Sequence, residues 1–423
     1  MRGVFKSRAL LLLFSANFVS MIGSGMNTAA VTWYVLQATH SEQMLGVLVV
    51  AQAIPSLLLM PFSGVVIDRE DRRRLVMLLD AGRGLLILLV AILCLRGMVQ
   101  IWHLFAMGIL VSTGFWMFWP TITALLQELT PEAQFAESNA MLLSGFQAGW
   151  LVAGSIVGFV YAKIGIGGIL LFDASTYAFS FACYWGVRKG RHTVVHTSVH
   201  IDKHPLSRFW HEMQDGYQFV RQNVSLAMIG ATWSLFVAAM MVSGVLTAPL
   251  SDRILHAGAI GYGWLNAGWG IGAFISTFYA AKMSRAFGWG RVVPLSMLLL
   301  AACFFVVPHS TMVGMAAGIY LASSIYFLAG TARGVGGIAL STSMMELIPK
   351  HLMGRVQTLF SIFAIALQVS LAPVAGRIAQ RHSLTVALGL IGMLYFMATL
   401  TSFWGARTSA STAQSAAATA SAE

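Results

Sequence analysis

Few side chains in this sequence could do chemistry, because only 10% of its 423 residues are charged. Four charged residues stand out because they lie inside long apolar stretches: Asp80, Arg83, Asp173 and Arg333. A charge in such a stretch needs a partner or a wet cavity, so it is a candidate for binding or proton transfer. Asp80 is expected to have a structural role, paired either with Arg83, three residues further along a helix, or with the arginines of the preceding loop. For Asp173 a structural role, with Lys163 as a candidate partner, is favoured over proton carriage.

Arg333 is the most informative of the four. It precedes Glu346, at the end of its stretch, by 13 positions, which is about 20 Å along a helix. At the centre of a membrane helix an arginine costs about 2.5–3.5 kcal/mol on insertion scales. The sequence therefore predicts an anion-binding residue for a carboxylate, catecholate or phosphate group. The alternative is a buried arginine held by backbone carbonyls or by Asp173.

A histidine pattern offers different chemistry. Four histidines are spaced by four residues, at His192, His196, His200 and His204. On a helix they would form one metal-binding face, but the intervening Val and Thr residues favour extended structure and Pro205 follows. A solvated linker is the preferred interpretation, so no metal site is predicted. The chain also has no G-x-x-x-x-G-K-[ST] phosphate loop and no obvious catalytic cluster, so neither a cofactor nor an enzyme is expected.

The elements that carry these residues are long apolar segments. The chain is 57% hydrophobic and only 10% charged, whereas a soluble domain carries about 25% charged residues. Because a membrane helix needs about 20 apolar residues, we predict an integral membrane protein. Its twelve predicted transmembrane spans are residues 9–36, 43–66, 75–95, 101–127, 138–163, 167–187, 223–250, 257–281, 291–308, 312–337, 356–378 and 383–406.

The basic residues between the spans are distributed asymmetrically. Nineteen Lys and Arg residues lie in the alternate segments that include both termini, and five lie in the opposite segments. The positive-inside rule then predicts that both termini are cytoplasmic. Nucleic acid is not an expected partner despite the net charge of +11, because the basic residues do not cluster on one exposed face. Residues 407–423, rich in Ala, Ser and Thr, predict a disordered cytoplasmic tail.

One internal match suggests a duplicated chain. Residues 123–141 read TALLQELTPEAQFAESNAM, and residues 341–359 read STSMMELIPKHLMGRVQTL. Their Glu-Leu-x-Pro motifs are 218 residues, or six spans, apart. Two copies in the same orientation are typical of transporters that rock two halves about a midplane site, although such a motif could simply mark helix ends. The predicted domains are six-helix bundles at 1–187 and 223–406, with a cytoplasmic linker at 188–222 between them.

Several loops carry a resemblance to a known family. Residues 64–74, GVVIDREDRRR, are similar to the signature loop of the major facilitator superfamily. Residues 209–223 and 349–361 resemble its macrolide-efflux and enterobactin-exporter branch. The resemblance covers all twelve spans and implies the all-α major facilitator fold, export and proton coupling, in the plasma (bacterial inner) membrane. The sequence departs from the family pattern at Asp71, where many members have Gly, at Ser155, which replaces the usual Pro, and in span 4, which lacks an Arg.

The resemblance also implies a central cavity lined by spans 1, 4, 7 and 10. Aromatic side chains with sparse polar groups suit a large amphipathic ligand, although each aromatic could instead face lipid or pack inside a bundle. The candidate residues of the substrate cavity are Arg333, Asn17, Asn27, Trp116, Trp119, Gln147, Trp233, Asn266 and Gln368.

A cytoplasmic gate is expected at the signature loop. A carboxylate near a helix N-terminus gains about 0.3–1 kcal/mol. Asp68, in the loop between spans 2 and 3, would make this contact with the N-terminus of span 11 and so favour the state closed on the cytoplasmic side. The alternative is a topology signal with Asp68 as a local partner. The candidate gate residues are Gly64, Asp68, Arg69, Arg72, Arg73, Asp80, Arg83, Glu128, Glu346 and Arg355. The glycines expected to pack span 5 against its neighbours are Gly145, Gly149, Gly154 and Gly158.

The function expected from these features is secondary active export by alternating access, with proton antiport. The substrate would be a bulky amphipathic small molecule, such as a drug, a macrolide or a siderophore-like anion, so the partners are that molecule, protons and the lipid bilayer. A lysophospholipid flippase and a non-transporting sensor are alternatives. A membrane-embedded lipid enzyme would need clustered acids, histidines or metal ligands at one interface, and these are missing.

Overall fold

The computed structural model describes residues 7–131, 134–187, 205–349 and 352–420, although several side chains in these ranges, among them those of 59–69 and 410–420, are outside the description. This part of the chain is helical and contains no strand, which confirms the all-α prediction. Its α-helices are α1 (Arg8–Thr39), α2 (Glu42–Arg69), α3 (Arg72–Leu95), α4 (Ile101–Leu129), α5 (Phe135–Gly186), α6 (Pro205–Gln222), α7 (Val224–Pro249), α8 (Gly258–Ser276), α9 (Ala280–Phe287), α10 (Trp289–Val306), α11 (Met315–Leu347), α12 (Met353–Arg381) and α13 (Leu384–Ala420).

Eight helical segments of the described chain are long and apolar enough to cross a membrane. One of them, Met141–Gly186, has 46 residues, or about 69 Å of helix, more than twice the roughly 30 Å of a bilayer's hydrocarbon core. Gly165 interrupts it with a φ of 63°, a conformation that glycine adopts without strain. The break falls between two predicted spans, 138–163 and 167–187. The count of twelve spans stays a prediction.

Two segments differ from the sequence-based expectation. Pro205–Gln222, the second half of the predicted linker, forms helix α6; the first half, 188–204 with the four histidines, lies outside the described residues. At the C-terminus the expectation of a disordered tail is corrected, because α13 continues through it as far as Ala420. The physical reason is composition: Ala has the highest helix propensity of all residues, and this segment is rich in it.

The helices pack into two units. Residues up to His40 and from Leu48 to Leu206 form the first, whereas Ser41–Val47 and residues from Ser207 onward form the second. In the first unit α1 and α3 both pack on α5, and in the second α8 packs on α11 while α7 packs on α12 and α13. The core of the first unit surrounds Phe118 and Tyr184, which are fully buried. The predicted division into bundles 1–187 and 223–406 stays a prediction.

Small residues bring the helices close together in both units, as expected where lipid removes the hydrophobic drive for association. In the second unit a Cβ on Gly330 would overlap the backbone carbonyl of Trp269. In the first unit a Cβ on Gly149 would lie 2.6 Å from Met21 Cβ of α1. Gly145, one turn earlier, has no neighbour nearer than 3.8 Å.

This difference predicts opposite effects of the same substitution. Gly149→Ala forces α1 and α5 apart and is expected to lower the free energy of unfolding by about 1–3 kcal/mol. Gly145→Ala makes only an ordinary van der Waals contact with Asn17 and should be neutral, or raise the free energy of unfolding by about 0.5–1 kcal/mol, because alanine loses less entropy in a helix. Thermal unfolding midpoints of the two variants in detergent test this, and equal midpoints would show that close packing at Gly149 is unimportant.

Candidate functional site

Arg333 lies in α11 of the second unit and is partly buried. Its Nε atom is 3.0 Å from the sulfur of Met240 on α7, and a thioether is only a weak acceptor. No carboxylate pairs with Arg333 among the side chains that the structure describes. Tyr395 of α13 interacts electrostatically with it, and the buried Tyr395 hydroxyl has no hydrogen-bond partner among the described residues. Two polar donor groups without a strong acceptor therefore lie in the same region.

Aromatic rings surround this region of the second unit. The Tyr395 ring stacks on Phe304 at 5.6 Å between centroids and meets Phe236 edge-on at 6.4 Å. Phe236 in turn contacts Trp233, one of the predicted cavity residues, at 6.5 Å. The hydroxyl of Tyr326, whose ring lies 6.2 Å from that of Phe304, hydrogen-bonds Thr247 instead. Arg333 and Tyr395 thus lie beside an apolar aromatic cluster.

The other two predicted cavity residues of the second unit are Asn266 and Gln368. The Asn266 amide donates to the backbone carbonyl of Tyr262 on its own helix, at 2.8 Å. Gln368 of α12 is partly buried.

In the first unit the predicted cavity residues differ in exposure. Trp116 is 41% exposed and Gln147 is also exposed. Trp119 is partly buried and meets the Phe146 ring edge-on at 5.2 Å. Asn17 is buried, donates to the Leu142 carbonyl at 3.3 Å and keeps its own side-chain oxygen unpaired among the described residues. The substrate-cavity assignment of these residues stays a prediction.

A buried ion pair organises the first unit. In one of the two expected pairings, Asp80 and Arg83 of α3 form an ion pair, with Arg83 Nη2 2.5 Å from Asp80 Oδ1 and both side chains buried. Ser180 of α5 donates to the other carboxylate oxygen at 2.5 Å. The guanidinium lies between the rings of Phe118 and Tyr177, 4.5 and 4.9 Å from their centroids, a favourable cation–π geometry. Arg83 Nη1 is buried and has no hydrogen-bond partner within the described part of the chain.

Asp173 precedes Ser180 on α5 and is fully buried. Its Oδ2 accepts a hydrogen bond of 2.7 Å from Asn27 of α1, so Asn27, predicted to line the cavity, has a defined partner. Thr176 lies 3.3 Å from Oδ1. The partner suggested by the sequence, Lys163, is exposed and forms no ion pair with Asp173 in the described structure.

The described gate residues of the first unit hold the ends of helices together. Arg72 pairs with Glu128 of α4 at 3.1 Å. Arg73 donates to the carbonyls of Tyr184 and Trp185 near the end of α5, at 2.8 and 2.5 Å, where unpaired carbonyls and the helix dipole favour a cation.

The remaining gate residues divide into two groups. The side chains of Gly64, Asp68 and Arg69 lie outside the described residues, so the gating role of the loop stays a prediction. In the second unit Glu346 is exposed, and Arg355 of α12 pairs at 2.7 Å with Asp215 of the linker helix α6.

The four predicted packing glycines all lie on α5. Gly149 lies against α1, whereas Gly145 and Gly154 are partly buried and Gly158 is buried.

Sequence reasoning missed the ion pair of 2.9 Å between the buried Glu42 and Arg253. Its only signal was a charged residue at the end of each apolar stretch.

Comparisons with known proteins agree with this architecture. Residues 13–364 match the family model of the Major Facilitator Superfamily. The MFS-type transporter YkuC of Bacillus subtilis (strain 168), itself uncharacterised, is 24% identical over 87% of this chain and 85% of its own. The multidrug efflux pump Tap of Mycolicibacterium fortuitum is 26% identical over 38% of this chain and 40% of its own. The crystal structure of the nucleoside transporter NupG is similar in fold, with a TM-score of 0.75, 11% identity and coverage of 94% of this chain and 99% of NupG.

The fold, with its apolar helices and few buried charges, defines a multi-pass membrane protein. The chain belongs to the major facilitator superfamily, which confirms the resemblance drawn from its loops. It is therefore a membrane-embedded transporter for a small molecule.

The buried Asp80–Arg83 pair and the exposed Asp215–Arg355 pair are expected to contribute unequally to stability. Asp80→Asn leaves the buried Arg83 charge without its partner and should cost about 3–5 kcal/mol. Asp215→Asn removes the partner of Arg355 from a pair whose side chains are 57% and 36% exposed, and such pairs contribute about 0–1 kcal/mol. Unfolding of both variants in detergent gives the comparison. Similar losses would mean that burial does not set the strength of these pairs.

Proposed function

We propose that this transporter is a secondary active exporter of a bulky amphipathic anion, which it exchanges for protons by alternating access. The observation that carries the proposal is the environment of Arg333, a partly buried guanidinium whose only described side-chain hydrogen bond is to a thioether. An arginine in a membrane helix normally faces a partner or a wet cavity. A substrate anion would supply the missing acceptor.

The chemistry of the surroundings supports an anion with an aromatic or apolar body. A guanidinium can donate two parallel hydrogen bonds to a carboxylate, catecholate or phosphate group, and the unpaired Tyr395 hydroxyl could donate a third. The rings of Phe236 and Phe304, packed on Tyr395, offer an apolar surface for the rest of the molecule.

Export and proton coupling have separate supports. The similarity to the efflux pump Tap, over 38% of this chain, favours the outward direction. Proton coupling rests on the missing phosphate-binding loop, which leaves no visible site for ATP, and on the presence of buried ionisable groups in the first unit.

Transport by the purified protein tests direction and energy source together. Inside-out vesicles that contain it, energised with an acidic interior, should accumulate a radiolabelled catecholate siderophore, because protons leaving the vesicle would drive the anion inward. A protonophore should abolish the accumulation, and ATP should not replace the gradient. Accumulation of a lysophospholipid instead would support the flippase alternative. Accumulation of either compound that does not depend on the proton gradient would overturn the antiport mechanism.

Binding tests the role of Arg333 without transport. A ligand at 100 times its dissociation constant stabilises the folded protein by about 2.7 kcal/mol, so thermal stability can screen cationic drugs, neutral macrolides, catecholate siderophores and lysophospholipids. We expect that only the anionic headgroups stabilise the wild type and that Arg333→Gln removes this stabilisation. Arg381→Gln, at an exposed arginine of the same unit, is the matched control. Equal stabilisation of wild type and Arg333→Gln by cationic or neutral compounds would make Arg333 structural.

A further inference from the structure

The carboxyl group of Asp173 is enclosed by a close approach of two helices. Asp173 is fully buried on α5, and a Cβ on Gly23 of α1 would overlap both its Oδ1 atom and Thr176 Oγ1. Glycine at this position therefore lets α1 cover the carboxyl group. Asn27, one turn further along α1, donates its hydrogen bond to Oδ2 at 2.7 Å.

The burial and the few hydrogen-bond donors around this carboxyl group favour its protonated form. Thr176 Oγ1 has a single hydrogen, and the oxygen lies 2.7 Å from the Asp173 backbone carbonyl but 3.3 Å from Oδ1. The hydroxyl therefore donates to the carbonyl, as threonine commonly does in helices. Its contact to Oδ1 is the longer one, so the hydroxyl gives a carboxylate at this position little stabilisation. An ionised Asp173 would have one amide donor, one long hydroxyl contact and no paired cation among the described residues, which is costly inside a membrane protein.

The groups that face Asp173 can also stabilise its ionised form. α1 presents Gly23 and Asn27, which do not titrate, and Asp173 interacts electrostatically with Arg83 and Asp80 of α3. Tyr177, one turn after Asp173 on α5, contacts Arg83 through its ring.

The donors of Arg83 are unequally used. Nη2 binds Asp80 and Nε donates to the backbone carbonyl of Leu79 at 3.2 Å. The buried Nη1 has no partner within the described residues, and a buried donor left unpaired is unusual in a native structure.

We propose that Asp173 is the proton-carrying residue of this transporter, with Asn27 and Thr176 holding its protonated form and the free Nη1 of Arg83 stabilising its carboxylate. In the release step the Oδ1–H bond breaks, its electron pair stays on Oδ1 and the proton passes to water. The local charge of Asp80, Arg83 and Asp173 then changes from zero to minus one, and Arg83 is shared between two carboxylates. The inference rests on the proposed proton antiport and assigns it a residue.

Infrared difference spectroscopy of the purified full-length protein tests the assignment without any substrate. The wild type should show a carbonyl band of a protonated carboxylic acid at neutral pH that disappears reversibly on alkalinisation. Asp173→Asn should lack this band, and Asp173→Glu should retain it at a shifted frequency, which guards against a folding defect in the first variant. Glu42→Gln is the matched control and should keep the band, because it removes a different buried carboxyl group, the one paired with Arg253.

A second variant separates a proton carrier from a structural acid. Arg83→Lys keeps the positive charge beside Asp80 but removes Nη1, so the band should persist to more alkaline pH than in the wild type. The proposal is overturned if the wild type lacks the band, if Asp173→Asn keeps it, or if the band does not respond to pH. Since no substrate is involved, these outcomes are independent of whether the protein exports an anion, which the vesicle assay decides.

Discussion

The rest of this structure depends on one constraint: a chain inside a bilayer must satisfy its polar groups internally. Backbone amides have no water to bind there, so helices are the available solution for a chain this apolar. The same constraint makes each buried charge expensive unless it is paired. Asp80 and Arg83 show the paired solution, since an ion pair, a serine hydroxyl and two aromatic rings enclose them. Residues that break the pattern are therefore the informative ones.

The two units break it in different ways. In the first, the exception is an acid, because Asp173 has amide and hydroxyl partners but no paired cation in the part of the chain that the structure describes. In the second, the exception is a base, because Arg333 has a thioether partner and no paired carboxylate within the described residues. An acid without a base favours binding a proton, and a base without an acid favours binding an anion. The pattern thus separates a candidate coupling site from a candidate substrate site.

How far the sequence predicts these sites depends on the range of the interactions. The Asp80–Arg83 pair is local to one helix turn, so spacing predicted it as one of two pairings. The isolation of Arg333 follows from apolar composition alone. The partner of Asp173 could not be found this way, because Asn27 is 146 residues away and a short polar side chain carries no periodic signal. The sequence suggested Lys163 because a nearby charge is the simplest partner, but tertiary packing set by a glycine, Gly23, brought α1 to the carboxyl group instead.

The signs of the two exceptional charges have a consequence for energetics under the proposed function. With a proton on Asp173 and no substrate, the two sites together carry one positive charge; with a bound monoanion and no proton, they carry one negative charge. Each cycle of anion export and proton entry therefore moves two charges across the membrane in the direction that an inside-negative potential favours. One charge gains about 2.3 kcal/mol per 100 mV, so two gain about 4.6 kcal/mol per 100 mV. Membrane potential, and not the pH difference alone, would then drive export, because an anion leaving and a proton entering move charge in the same direction.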